Sequence, residues 1–167
     1  LITPDVEQLR DQFGFPGMKV LQVALEDIQP QNSHLPEHHV YNSVVYPGTH
    51  DNNTAVGWYA ALSGAKLAAI ASYLGSPLQD PAWDMMGICM ASRARAAVIP
   101  MQDVLRLGSE ARMNIPATSS GNWRWRLPSD YVTPGLTDAL AELTTTHHRA
   151  PGSGTAPRLK EEGRAPL

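Results

Sequence analysis

Apolar positions along the chain fall into short blocks separated by long polar stretches. Val6, Leu9 and Phe13 recur at helical spacing behind Thr3-Pro4-Asp5, and Gly14 follows them. A Thr cap, a Pro in the first turn and acidic residues near the positive end of the dipole favour a helix start; a glycine favours its end. Met18 to Leu25 is a short apolar run with β-branched Val20 and Val23, bounded by turn residues, and reads as a buried strand. Residues 26–42 are polar and hold Pro30, Asn32, Pro36 and three histidines. They predict a long loop, and long loops in compact domains are often functional. Ser43 to Tyr46 reads as a second strand. Helices are expected from about Thr54 to Ser63, from Lys66 to Leu74 before Gly75, and from Pro81 to Arg95. The last has a soft buried side of Met85, Met86, Ile88 and Cys89. Ala96 to Met101 predicts a third strand, 109–130 an irregular segment, and Thr133-Pro134 the start of a helix reaching about Thr146. The stretch from His147 onward has almost nothing apolar and predicts a disordered tail.

Short apolar strands alternating with helices predict an α/β fold with parallel strands. A parallel sheet needs cover on both faces, and three strands with these helices cannot supply it. The pattern therefore predicts part of a larger sheet or barrel.

Composition narrows the function classes. The chain has 167 residues, the size of one domain, with 13 basic and 16 acidic side chains and a net charge of −3. That balance speaks against a general polyanion binder, so no nucleic-acid partner is expected. No apolar run reaches the length that a membrane helix needs, so no membrane partner is expected. A single cysteine, Cys89, rules out an internal disulfide and a zinc site built on several thiolates. The chain opens at Leu1, without Met and without a signal-like segment, and processing or truncation is the expected origin of that start.

Three constellations could carry chemistry. Gly48-Thr49-His50-Asp51-Asn52 follows directly on the second strand, and in α/β folds ligands gather at the carboxyl ends of strands. A His, an Asp and an Asn there can bind hydroxyls or stabilise positive charge; the same residues also make ordinary turns. His34, His38 and His39 have a spacing that could chelate a metal, but Pro36 lies between them. They read as solvated loop histidines, and no metal site is expected. Ser120-Gly121-Asn122-Trp123-Arg124-Trp125-Arg126 interleaves aromatic and basic residues. Its alternation fits an extended segment with both Trp rings packed inward and Asn122 exposed, although such residues also stack on sugars or bases. Phosphate-loop, dinucleotide, nucleophile-elbow and dithiol templates are all absent from the sequence.

Several blocks together resemble a known family. Asp11-Gln12-Phe13-Gly14-Phe15-Pro16-Gly17-Met18-Lys19-Val20-Leu21-Gln22 is one. Asn42-Ser43-Val44-Val45-Tyr46 with Gly48-Thr49-His50-Asp51-Asn52 is another. Ile99-Pro100-Met101-Gln102-Asp103-Val104-Leu105, Gly108-Ser109-Glu110-Ala111-Arg112-Met113-Asn114 and Gly121-Asn122-Trp123 with Trp125-Arg126 complete the set. In this order they resemble the 4-α-glucanotransferases, also called amylomaltases or disproportionating enzymes. The resemblance covers about residues 1–146.

It implies the C-terminal part of a (β/α)8 barrel, with the three strands as strands six, seven and eight. It implies transfer of an α-1,4-glucan segment to the 4-hydroxyl of another sugar by retaining double displacement. One carboxylate attacks, a second carboxyl group serves as acid and then base, and a third stabilises the transition state. By motif match Asp51 is that third carboxylate. His50, Asn52, Asn114 and Asn122 are the implied substrate contacts, and α-1,4-glucans and maltooligosaccharides the implied partners. No organic cofactor and no catalytic metal are implied. The nucleophile and the acid/base are expected upstream of Leu1, so the chain alone is expected to be inactive and poorly stable. Pro47 stands where the family usually has Thr, and Asn53 where it usually has Asp. Ile115-Pro116-Ala117-Thr118 is closer to plant and algal plastid members, which makes the plastid stroma the expected compartment and the cytoplasm the alternative. The competing functional reading is a non-catalytic glucan-binding remnant.

Overall fold

The computed structural model describes residues 3–151. Their contacts divide into two compact units, one up to Tyr131 and one from Val132.

The first unit opens with α1 (Pro4–Gln12). Thr3 holds the cap position, but its hydroxyl takes no amide, contrary to expectation. The helix is closed at its other end instead. Gly14 adopts φ 65°, its amide bonds to Asp11 O, and the Phe15 amide reaches back to Arg10 O. That left-handed turn costs a glycine little and is the usual way to satisfy the last carbonyls.

β1 (Gly17–Val20) is half the expected strand, because residues 21–26 form a helix, α2 (Leu21–Glu26). Leu21, Ala24 and Leu25 fall on one face at helical spacing, and all three are fully buried. An apolar run this short fits either period, so pattern alone does not separate buried strand from buried helix. A loop with a 3₁₀ turn at Pro36–His38 leads to β2 (Ser43–Tyr46), which has the expected bounds. Three helices follow: α3 (Ala55–Ala60), α4 (Gly64–Leu74) and α5 (Pro81–Ala91). Thr54, Ser63 and Asp80 cap them by accepting the amides of Gly57, Lys66 and Trp83. Each such cap contributes about 1 kcal/mol. α5 stops before the expected Arg95, because Ser92 is extended and the Arg95 amide bonds to Tyr41 O beside the sheet. β3 is only Ala96–Ala97, shorter than the expected 96–101. Pro100 has no amide to give a ladder, and it caps α6 (Met101–Val104) instead.

The three strands form one parallel sheet in the order β1-β2-β3. Register pairs Met18 with Val44 and Val44 with Ala96, so these share one face. Val45, on the opposite face, is fully buried in a core with Leu21 and Leu25 of α2, Trp58 of α3, Ile70 of α4 and Met85 of α5. On the other face Met18 is 57% exposed and Val44 and Ala96 are part-exposed, while Val20 at the strand end is buried. One face of the sheet is thus fully covered by helices and the other only in part, as expected for a part of a larger parallel structure.

In the second unit, α7 (Pro134–Thr146) has its expected bounds and is capped by Thr133, which accepts from the Leu136 amide. None of its residues is buried. Most of the expected disordered tail lies outside the described residues. Among the described residues no helix is long and apolar enough to cross a membrane.

Candidate functional site

The loop leaving β2 is braced from below by α2. The buried Gln22 donates its backbone N–H to Pro47 O and its side-chain Nε2 to Asn53 O at 2.9 Å. Gly48 sits directly against it, and a Cβ there would come within 2.7 Å of Gln22 Nε2. Inside the loop, Asn52 Oδ1 accepts both the amide and the hydroxyl of Thr49, each at 2.9 Å. This side-chain turn is a local alternative to a backbone turn. The far end is pinned at α3, where Ala55 N donates to Asp103 Oδ1 at 2.7 Å. These braces leave His50 and Asp51 at the tip, their side chains 55% and 54% exposed. The segment is a turn, and the turn leaves His50 and Asp51 exposed at its tip.

A second loop, after α6, clamps onto this tip. Asn114 Nδ2 donates to Asp51 Oδ1 at 2.6 Å, and the Asn114 amide donates to His50 O. Arg112 Nη2 donates to Asp51 O at 2.8 Å, while its Nε donates to Asn114 O. Ser109 Oγ accepts from Asn53 Nδ2 at 2.9 Å. The Trp123 ring lies against His50, 5.0 Å between centroids and tilted by 41°. Asp51 Oδ2 takes no donor from any described residue, and His50 Nε2 lies 3.5 Å from Oδ1.

Behind the tip is a cavity of about 170 Å³ with Thr49, His50, Asn53, Asp103, Arg112 and Trp123 in its wall. Whole ligand pockets run to about 300–1,000 Å³, so these residues form a section of a cleft. Asp103 is 1% exposed. Burial pushes its carboxyl up to about 6, against the opposing pull of the Ala55 amide. Asp103 therefore works as an anchor for α3 in the back wall, while Asp51 faces outward.

The structure treats the expected contacts unequally. It brings Asp51, His50 and Asn114 together. Asn52 is part-buried, and its carbonyl is engaged by Thr49. Asn122 fastens its own loop: Oδ1 accepts the Ile115 amide and Nδ2 donates to Thr118 O and Oγ1. Asn122 is half-buried rather than exposed. Trp123 is 53% exposed and turned at φ 62°, so the expected extended segment with inward Trp rings does not form there. Gly121, also at positive φ, breaks the alternation just before it.

The three loop histidines are not uniformly solvated. His39 is 3% exposed, with Nδ1 2.6 Å from Ser92 Oγ and Nε2 2.9 Å from His34 O. His34 Nδ1 accepts the Val20 amide, and His38 Nδ1 donates to Asn32 O. Burial lowers the basicity of His34 and His39. Both ring nitrogens of His39 and the Nδ1 atoms of His34 and His38 are bound to the fold, and no group of three or more metal-competent side chains occurs among the described residues.

The sequence reading missed Arg112, Gln22 and Asp103 as parts of this site. Gln22 and Asp103 carried one visible signal: each is a polar residue embedded in an apolar run beside a strand end.

Three comparisons bear on this arrangement. The sequence profile of the 4-alpha-glucanotransferase family matches residues 1–133. The 4-alpha-glucanotransferase of Thermus thermophilus is 48% identical over 155 residues, 86% of this chain and 31% of that protein. The chloroplastic/amyloplastic 4-alpha-glucanotransferase of Arabidopsis thaliana is 44% identical over 153 residues, 89% of this chain and 26% of that protein. Among solved structures, the amylomaltase from Streptococcus agalactiae in complex with acarbose superposes with a TM-score of 0.82 at 30% identity, over 89% of this chain and 30% of that one. The three-stranded parallel sheet with its helices is thus part of a (β/α)8 barrel. The chain belongs to the 4-alpha-glucanotransferase family. It spans 26–31% of the length of these curated relatives.

Proposed function

We propose that this segment supplies the sugar-gripping side of the active site in a 4-α-glucanotransferase. The observation that carries this reading is the placement of Asp51. Its carboxylate stands exposed in the loop that follows β2, one oxygen fixed by Asn114 and the other without a donor among the described residues. Two vicinal sugar hydroxyls are the natural donors to such an oxygen pair, and each hydrogen bond to a charged group contributes about 1.5–3 kcal/mol. His50 beside it offers a ring nitrogen, and the exposed Trp123 face offers an apolar surface for a sugar ring. Asn52 and Asn122 support the loops that hold these groups.

Retaining transfer needs two further carboxyl groups, a nucleophile and an acid/base. Asp103 is unsuited to either role, being buried and bonded to a backbone amide. The chain spans only 26–31% of the length of its relatives, and by the family resemblance we assign both to parts of the protein outside the sequence given, with α-1,4-glucans and maltooligosaccharides as substrates. The bound acarbose of the Streptococcus agalactiae relative supports a glucan-like ligand. The chain by itself should not catalyse transfer. Plant relatives named chloroplastic/amyloplastic match about as well as the Thermus protein, so identity favours neither plastid nor cytoplasm.

The test is to incubate the full-length protein and the isolated 167-residue chain with maltotriose and separate the products. The full-length protein should yield glucose and maltooligosaccharides longer than three units, and the isolated chain none. Transfer by the isolated chain, or none by the full-length protein, would contradict the reading.

A further inference from the structure

We infer that Arg112 is a positioning residue that aims the Asp51 carboxylate by joining the main-chain oxygen of Asp51 to that of Asn114, whose side chain holds the carboxylate. The inference rests on the glucan-transfer reading above. Asp51 sits on an exposed loop tip, where a carboxylate would ordinarily sample several orientations. Arg112 removes that freedom through one rigid guanidinium: Nη2 binds Asp51 O at 2.8 Å and Nε binds Asn114 O at 3.1 Å. Asn114 then returns two bonds to the same tip, Nδ2 to Asp51 Oδ1 and its amide to His50 O. The planar fork thus closes a ring of hydrogen bonds through both loops, a geometry that a lysine ammonium cannot reproduce.

The choice of acceptor matters. Arg112 bonds to the carbonyl of Asp51 and makes no ion pair with its carboxylate, nor with any other among the described residues. The carboxylate is therefore held in place while Oδ2 stays open for substrate. Arg112 is half-buried in the cavity wall, and the Ser109–Ala111 turn delivers it. The Arg112 amide closes that turn on Ser109 O, and Ser109 is itself tied to Asn53 of the first loop.

The experiment is a double-mutant cycle in the full-length protein, reading kcat and KM for maltotriose disproportionation. Arg112→Met should lower kcat by about 10- to 100-fold, the scale of a misplaced group, and change KM by no more than about twofold. Arg112→Lys, which keeps the charge but not the fork, should fall between Arg112→Met and the parent. In an Asp51→Asn background Arg112→Met should cost less than about twofold more, because its route to the reaction is already gone. A full additional loss in that background would make Arg112 a general structural residue and overturn the inference. So would parental kcat in Arg112→Lys, a variant that also carries the test if Arg112→Met does not fold. If Asp51→Asn itself leaves the rate unchanged, the glucan-transfer reading fails, and this inference with it.

Discussion

Two loops feed the sheet of the first unit, and both are polar and histidine-bearing. The loop before β2 turns its chemistry inward. His39 is buried with both ring nitrogens bonded, and His34 holds the Val20 amide. The loop after β2 turns its chemistry outward, with His50 and Asp51 more than half exposed while its braces Gln22 and Thr54 are buried and Asn52 is part-buried. Composition does not distinguish them. The difference is where the hydrogen bonds go: a side chain whose donors and acceptors are spent on the fold is a structural part, and one held in place with an open lone pair can act on a ligand.

Exchanging losses between the two loops breaks this comparison most directly. His50→Ala in the full-length protein should cost about 10²-fold in transfer rate, as for loss of one stabilising contact, with stability within about 0.5 kcal/mol of the parent. His39→Leu should do the opposite, lowering stability by about 2–3 kcal/mol because Ser92 Oγ and His34 O each lose their bond to the buried ring. Rate assays and denaturant melts on both variants check the pair. Equal rate losses would dissolve the distinction.

Asp103 sharpens the comparison, as a carboxylate on the inward side. Its folded value of about 6 lies above the ordinary 3.8, so the folded chain holds the proton more tightly than the unfolded one. The stability from this group is complete below about pH 4 and is lost as pH rises to about 6, a decline of about 2–3 kcal/mol. Asp103→Asn keeps an acceptor for Ala55 and should flatten that decline in melts taken across pH 4 to 7. An unchanged slope would place the titration elsewhere. Gly57 carries a smaller effect. Its amide caps on Thr54, and a Cβ would press on Ser109 Oγ and Asn53, where the two loops of the site meet. Gly57→Ala should cost about 1–3 kcal/mol in a denaturant melt, and no loss would mean that the contact gives way freely.

Much of this architecture is legible from residue order. Ser43 to Tyr46, the caps at Thr54 and Thr133 and the glycine stops at Gly14 and Gly75 are local signals, and each matches its element. The family motifs placed Asp51 and Asn114 at the same site. The failures share one cause, tertiary context. Leu21 to Leu25 fits strand and helix equally, and the buried contacts of Leu21 and Leu25 select the helix. Trp123 alternates like a strand residue until Gly121 and the bonds of Asn122 turn it toward His50. Arg112 has no motif of its own as a clamp, because its acceptors are main-chain oxygens at Asp51 and Asn114.

The central claim is that Asp51 serves the transition state of glucan transfer, and the most direct measurement is kcat and KM for Asp51→Asn in the full-length protein acting on maltotriose. The account predicts a fall in kcat of at least about 10²-fold with KM changed by no more than about threefold, since the lost contact strengthens only as the sugar distorts. A rise in KM with kcat intact would contradict it, and would make Asp51 a plain substrate-binding residue.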